Sequence, residues 1–427
     1  MPYANLPLPC RNKFRNESGN FTRREKTKIM KASKSVILLF LLIGIACSQQ
    51  NNELNLQQLI DNAKNGETIT LKAGIYEATP SEYFDGLCGN CQNHKTDVRG
   101  TKGFIIQDKT IFIRGEDKEK VILKTNAGYG VLFVNSMHSS ISNLTITGGV
   151  RDTSGDATNA GIVLKFSKVR IFDCIISNDT VRSSQTPIVG VSGIVLREGS
   201  EAIIRNNIIR NNTWDGIALY RGGLAYIMDN IIENGRGAGI GITWDAAAFV
   251  FRNRVSGFWK GVGTFGTSTA VVKNNCVFDN LGWGIVISGD SHMLVENNVI
   301  TRNGNCGVAP WCDSLENGSG VITNNIITEN GWRKEWVCPQ VGYWMNADPA
   351  KFKFTYNDVW NNAAGEYKNV NDLTGINGNV SADPMFRDKF DFRLMDSSPL
   401  FHNGNPAITN LDGSQSHIGI DGGQSVK

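Results

Sequence analysis

Short apolar runs recur along the middle of the chain at a fixed interval. Glycines that each open a strand-like run stand at Gly193, Gly216, Gly239, Gly261, Gly284 and Gly307, at spacings of 23, 23, 22, 23 and 23. A second series runs in phase with it: Asn207, Asn230, Asn253, Asn275, Asn298 and Asn325, spaced 23, 23, 22, 23 and 27. A repeat of this length built from β-branched runs predicts a solenoid, in which each coil buries its apolar face against the next. Within the repeat that opens at Gly216, alternation puts Ile217 and Leu219 inward on a first strand. A turn at Gly222-Gly223 leads to a second strand, Leu224 to Asp229, and a bend at Asn230 leads to a third, Ile231–Ile232. Stacked strands are then parallel, and the asparagines form a side-chain amide ladder at one bend.

The periodicity fades toward both ends. Residues Glu53 to Lys64, with Leu56, Leu59, Ile60 and Ala63 on one side, read as an amphipathic helix that covers the first coil and its strand edges. Residues 80–102 read as an irregular insertion, and regular coils begin near Phe104. The glycine spacings widen before Gly193, from Gly130 to Gly161 and from Gly161 to Gly193, and imply extra loops around Arg151–Asn159 and Asn178–Val189. The solenoid is expected over 53–380, with 381–427 as an irregular C-terminal cap on its far end.

Composition agrees with many tight turns and an extended β core: there are 46 glycines and only 19% charged residues. A formal charge of +3 is too small to suggest a nucleic-acid partner. Before the repeats, Lys31 and Lys34 precede an apolar run, Val36 to Ile43, then Gly44-Ile45-Ala46-Cys47. A basic region, a short apolar core and a small residue before the cleavage point make an export signal over 30–47, too short to span a bilayer. Residues 1–29 then read as an upstream extension, and 48–52 as a tether. Cys47 directly after the small residue is similar to a bacterial lipobox, which implies lipidation of Cys47. Anchoring to a bacterial membrane, or release to the periplasm or exterior, is expected.

The other cysteines divide by context. Cys10 falls in the extension, while Cys174 and Cys276 read as buried thiols in strands. Cys306, Cys312 and Cys338 cluster where the regular repeats end, and one disulfide is expected among them. Cys88-Gly-Asn-Cys91-Gln-Asn-His94 resembles half a zinc site, but no second half has matching spacing, so a Cys88–Cys91 loop disulfide is the stronger reading.

The repeated Asn-Asn-Ile-Ile-x-x-Asn followed by Gly-Ile-x-Leu resembles the coil pattern of the right-handed parallel β-helix, or pectate-lyase-like, superfamily. Leu59-Ile60-Asp61 through Gly74-Ile75-Tyr76 is similar to its opening segment. Ala382-Asp383-Pro384-Met385-Phe386 with Asp391-Phe392-Arg393-Leu394 resembles an ending found in secreted members. The resemblance implies an all-β fold: a single right-handed parallel β-helix with an N-terminal capping helix. It specifies activity poorly, since such folds serve lyases, hydrolases, epimerases and adhesins.

Candidate chemistry comes from the register. Four residues after each glycine stand Lys165, Arg197, Tyr220, Thr243, Phe265, Ser288 and Trp311. Just beyond them stand Glu198, Arg221 and Trp244, then Asp245, Asp290 and Asp313; before the glycines stand Trp214, Asp215, Trp259, Lys260 and Trp283. These columns are expected to form one groove for a polysaccharide, with Trp214, Tyr220, Trp244 and Trp283 stacking on sugar rings and Lys165 holding an acidic group. Hydrolysis would use paired carboxylates, Asp215 with Asp245, or Asp245 with Asp290 at about 10 Å across two coils. Elimination would use a cationic residue of the Lys165, Arg197 and Arg221 set, as lyases of the superfamily often do. His292 reads as solvated surface. No cofactor is required; Ca²⁺ on groove aspartates is the open alternative. The other reading is a non-catalytic, surface-anchored glycan-binding or adhesive protein. A monomer is expected, with polysaccharide as partner and the membrane touched only through the lipid anchor.

Overall fold

The computed structural model describes residues 55–87, 98–154, 157–179, 189–334, 336 and 338–424. The export signal, Cys10, Cys47, the tether, Cys88, Cys91 and His94 lie outside these residues. The described chain forms a three-sided parallel β-helix. One sheet, here sheet 1, carries the glycine-led strands and has twelve members; sheets 2 and 3 have eleven each among the described residues. In the coil that opens at Gly216 the strands are Ile217–Leu219, Leu224–Met228 and Ile231–Glu233, one in each sheet, as the pattern predicts.

One continuous apolar core runs from Leu56 to Val359 through the inward residues of all three sheets. The leading glycines are required by close approach. A Cβ on Gly216 would lie 2.6 Å from the carbonyl oxygen of Gly239 in the next coil and would also collide with Ile232.

The asparagine ladder forms. Asn230 Nδ2 donates to Asn253 Oδ1 at 2.9 Å and to the Ile204 carbonyl at 2.9 Å. Its Oδ1 accepts from Asn207 N and Nδ2. Each amide therefore satisfies backbone groups that the bend would leave buried and unpaired. The ladder continues past Asn325 to Asn357 and Asn379. The residue before each ladder position is left-handed, from Asn206 (φ 57°) to Asn324 (φ 57°). Asn and Asp tolerate that conformation best, which accounts for the Asn-Asn pairs in the sequence. A second ladder, Asn280–Asn303–Asn330–Asn362, runs along the bend between sheets 3 and 1. Its members follow the same repeat as the first ladder, at spacings of 23, 27 and 32.

The ends differ from expectation in detail. The helix is shorter, Leu56–Asn62, because the Asn55 side chain accepts from Gln58 N and fixes its start. Leu56 and Ile60 are buried, whereas Leu59 faces solvent. Gln57 covers the first strand edge through paired amide bonds to Ile105 N and O. The insertion contributes a strand, Ser81–Asp85, antiparallel to Val98–Lys102. At the far end, Tyr367, Val370 and Leu373 pack against the core. The tail does something else: Phe392, Leu394, Leu400 and Ile418 lie against Cys276, Phe278, Val299 and Ile326 on the outer side of sheet 3. Asn274, Asn297 and Asn324 bond to its backbone.

Candidate functional site

The outer face of sheet 1 carries the columns singled out in the sequence. Val195, Ala218, Gly241, Gly263, Val286 and Ala309 are register partners along its length. The two ends of this face are covered and the middle is open. At Gly241 a Cβ would meet nothing closer than Ala238 Cβ at 3.5 Å. Half-buried Tyr220, Thr243, Trp244 and Phe265 border this floor on one side, and Lys260 borders it on the other. Trp244 packs edge-on against Phe265, with centroids 5.3 Å apart.

One end is a polar cluster under the strand Ser81–Asp85. Lys165 and Arg197 are register partners on adjacent strands, only 5% and 0% exposed. The Asp85 carboxylate, 1% exposed, bridges them, 2.6 Å from Lys165 Nζ and 2.8 Å from Arg197 Nη2. Lys165 Nζ also donates to Tyr83 Oη at 3.1 Å. Arg197 donates to Thr158 Oγ1 and the Leu87 carbonyl. Its Nε shares Glu198 Oε1 with Arg221. Burial pulls Lys165 below its ordinary value, Arg197 adds to that, and Asp85 opposes it. Burial raises Tyr83 well above its ordinary value and pushes Tyr129, edge-on to it at 5.2 Å, up to about 12. The cluster therefore combines a permanent cation, an amine biased toward neutrality and phenols held in the protonated state.

The other end is aromatic. Trp283 stacks near-parallel with Trp311 at 5.8 Å and meets Trp259 edge-on at 5.9 Å. Trp259 meets Trp336 at 3.9 Å. Arg333 lies over both Trp259 and Trp336, at 5.4 and 5.0 Å. Trp311 is 46% exposed, whereas Trp283 is 5% exposed and its indole N–H lacks an acceptor.

The expected single groove is not what forms. Asp215 is buried at the start of the sheet 1 strands, where it accepts from Ala238 N at 2.5 Å, and burial pushes its carboxyl up to about 6. Asp245 follows the other end of the strand Ala238–Trp244 and accepts from Gly222 N at 2.8 Å. A seven-residue strand separates them, or about 20 Å at the strand rise. Carboxylates that far apart cannot flank one glycosidic bond. Trp214 shares the Asp215 edge, while Tyr220, Arg221 and Trp244 share the Asp245 edge. Asp290 accepts from Asn317 N, so it ties turns together as Asp245 does. Strand direction explains the error: equal offsets from the glycines fix columns, but columns at opposite strand ends do not converge.

Tyr83 and Asp85 were missed because the insertion lies outside the repeat register. Tyr129 had a signal, since it directly precedes Gly130 as Asp215 precedes Gly216. Among the described residues no group of three or more His, Cys, Asp or Glu side chains is placed to hold a metal ion. An open concavity of about 790 Å³ lies on sheet 2, lined by Phe249, Val271, Leu294 and His292, away from the charged cluster.

Comparison with known proteins gives the fold a family. No curated protein matches the chain. Among solved structures it is similar to the A-module of the Azotobacter vinelandii mannuronan C-5 epimerase AlgE6 (14% identity, 77% of this chain and 93% of that one, TM-score 0.38). It is also similar to an alginate lyase from Paenibacillus sp. str. FPU-7 (15%, 70% and 96%, TM-score 0.42) and to pectate lyase Pel9A (15%, 86% and 90%, TM-score 0.38). Likenesses this distant say nothing about what this chain acts on. The right handed beta helix region, as a family, matches residues 86–223 and 160–318, more than half of the chain, and the protein belongs to that right-handed β-helix family.

Proposed function

We propose that the chain is an exported carbohydrate-active protein that holds an extended acidic polysaccharide along sheet 1. The observation that supports this reading is the Asp85 carboxylate seated between Lys165 and Arg197. Those two cations form a carboxylate receptor at one end of an open face bordered by aromatics. A uronate carboxylate taking the place of Asp85 would set its α-carbon beside the Lys165 amine. Neutral lysine would remove the α-proton while Arg197 holds the charge that develops on the carboxylate. The carbanion then either expels the neighbouring glycosidic oxygen, as in elimination, or takes a proton back on the opposite face, as in epimerisation. Tyr83, kept protonated by burial, is the candidate acid. The wide separation of Asp215 and Asp245, at opposite ends of the sheet 1 strands, disfavours hydrolysis by that pair, and Asp245 and Asp290 each accept a backbone N–H of a neighbouring turn.

A second reading has its own support. Nε, Nη1 and Nη2 of Arg197 are all engaged by protein acceptors, which suits a structural tie beneath a surface that binds glycan without turnover. Export with lipidation at Cys47 belongs to both readings, and a Cys47→Ser chain should leave the membrane fraction. To separate them, purified protein is incubated with alginate, polygalacturonate and hyaluronate. Absorbance of unsaturated uronates, reducing ends and the proton spectrum of the polymer are followed. Elimination raises the first two together, and epimerisation changes only the spectrum. Lys165→Gln should abolish either activity and, because it removes half of the carboxylate receptor, weaken binding as well. Binding without any conversion would establish the non-catalytic reading. Gly241→Leu, which places a side chain in open space, should block binding in a folded protein; unchanged binding would remove sheet 1 as the glycan face.

A further inference from the structure

Two of the free thiols lie against each other. The sulfurs of Cys306 and Cys338 are 2.9 Å apart, and the Cys306 N–H points to Cys338 Sγ at 3.4 Å. Both residues are buried. The other described cysteines have no such partner: Cys174 and Cys312 rest on backbone carbonyls, and Cys276 packs on sheet 3. Sulfurs this close need a sub-ångström shift to reach the ~2.05 Å of a covalent bond.

The position of the pair gives the contact a consequence. Cys306 stands just before the sheet 1 strand Val308–Trp311. Cys338 lies in the connection between the strands Ile326–Thr328 and Tyr343–Trp344, the segment that makes the interval from Asn325 to Asn357 longer than the regular repeat. That connection carries Arg333 and Trp336 to Trp259. Near the pair, its described backbone ties to the preceding coil include Gly331 N to the Asn303 carbonyl and Arg333 N to the Gly304 carbonyl, both 2.8 Å, and Gly307 N to the Val341 carbonyl, 3.1 Å.

We propose that Cys306 and Cys338 are joined by a disulfide in the mature protein, and that this bond clamps Arg333 and Trp336 over Trp259 as a fixed wall of the sheet 1 face. The oxidant is another disulfide, of a protein or a small thiol. One cysteine thiolate attacks it, forming a mixed disulfide and releasing one thiol. The second cysteine then displaces the second thiol. The pair loses two protons and two electrons, and the oxidant is reduced to two thiols. Burial pushes the Cys306 thiol well above its ordinary value, so exchange takes place before the connection seats and the closed bond is then shielded from reductants.

The crosslink depends on neither export nor glycan binding; only the wall's use rests on the glycan reading. The purified full chain is refolded in a mixture of oxidised and reduced glutathione, denatured, alkylated with iodoacetamide and digested without reduction. The expected product is the Cys306 peptide joined to the Cys338 peptide, with Cys174, Cys276 and Cys312 alkylated. Full alkylation of both, or a link from either to Cys312, Cys88 or Cys91, overturns the proposal. The clamp is read by tryptic cleavage after Arg333 and Lys334 in native protein. Cys338→Ser and reduced wild type should be cut several-fold faster than the oxidised chain. Equal rates in all three would remove the clamp and leave only the crosslink.

Discussion

The two ends of sheet 1 are closed by opposite means. At one end Asp85, 80 and 112 residues from its partners Lys165 and Arg197, seals a pair of buried cations. At the other, Trp259, Trp283 and Trp311 come from successive coils, Trp283 stacking on Trp311 and meeting Trp259 edge-on. The polar end depends on a segment outside the repeat, and every member relies on the others for charge balance. The aromatic end grows mainly from the repeat itself, with Trp336 added by the longer connection, and its ring contacts need no charge balance. The first arrangement is all-or-none; the second is additive. Polar chemistry is therefore expected where the insertion meets the coils, and binding area along the coils.

The largest test of this contrast is Asp85→Ala. It leaves buried Lys165 without its carboxylate partner and Arg197 with only Glu198, and should destabilise the protein by about 3–5 kcal/mol, read as the urea midpoint. Trp336→Ala, at the aromatic end, removes a half-exposed ring and should cost no more than about 1 kcal/mol. Comparable losses would break the contrast.

A pH series sharpens it. Asp179 is buried near the polar end, where its Oδ1 accepts from Gly149 N at 2.6 Å. Burial pushes its carboxyl up to about 7, and that of Asp215 up to about 6. These groups keep their protons in the folded state after the unfolded chain has lost them. Their contribution is complete below about pH 4 and is lost as pH rises to about 7. The urea midpoint should therefore fall across that window. Asp179→Asn should flatten the fall, and Trp336→Ala should leave its slope unchanged.

The smallest effect belongs to Trp311→Ala. Its ring is nearly half exposed, so stability should stay within about 1 kcal/mol of wild type. Glycan affinity should drop a few-fold, consistent with losing ~0.5–1.5 kcal/mol of stacking. Calorimetric titration with the best-bound polysaccharide measures it, and unchanged affinity would place the aromatic end outside the binding face.

Much of this architecture was legible in the chain. The three strands of the Gly216 coil, the ladder from Asn207 to Asn325 and the helix over the first coil all follow from spacing, because a solenoid places each repeat on the last with one fixed operation. The candidate site was legible only in part. Lys165 and Arg197 stood in the right column, but their burial did not, since it comes from Ser81–Asp85 and from Thr158 in an inter-coil loop. Asp215 and Asp245 were placed face to face because offsets give a column but not the strand end on which it sits.

The sequence alone determined the repeat, its glycines, its asparagine bends and the outward columns, because each depends on contacts between residues one coil apart. Tertiary structure decided which charges meet, which tryptophans are covered and where the tail lies. Asp85 reaching Lys165, Cys338 reaching Cys306 and Phe392 packing on Phe278 join segments with no common period. Such contacts are set by the packing of irregular segments onto a finished surface, and no spacing in the chain records them.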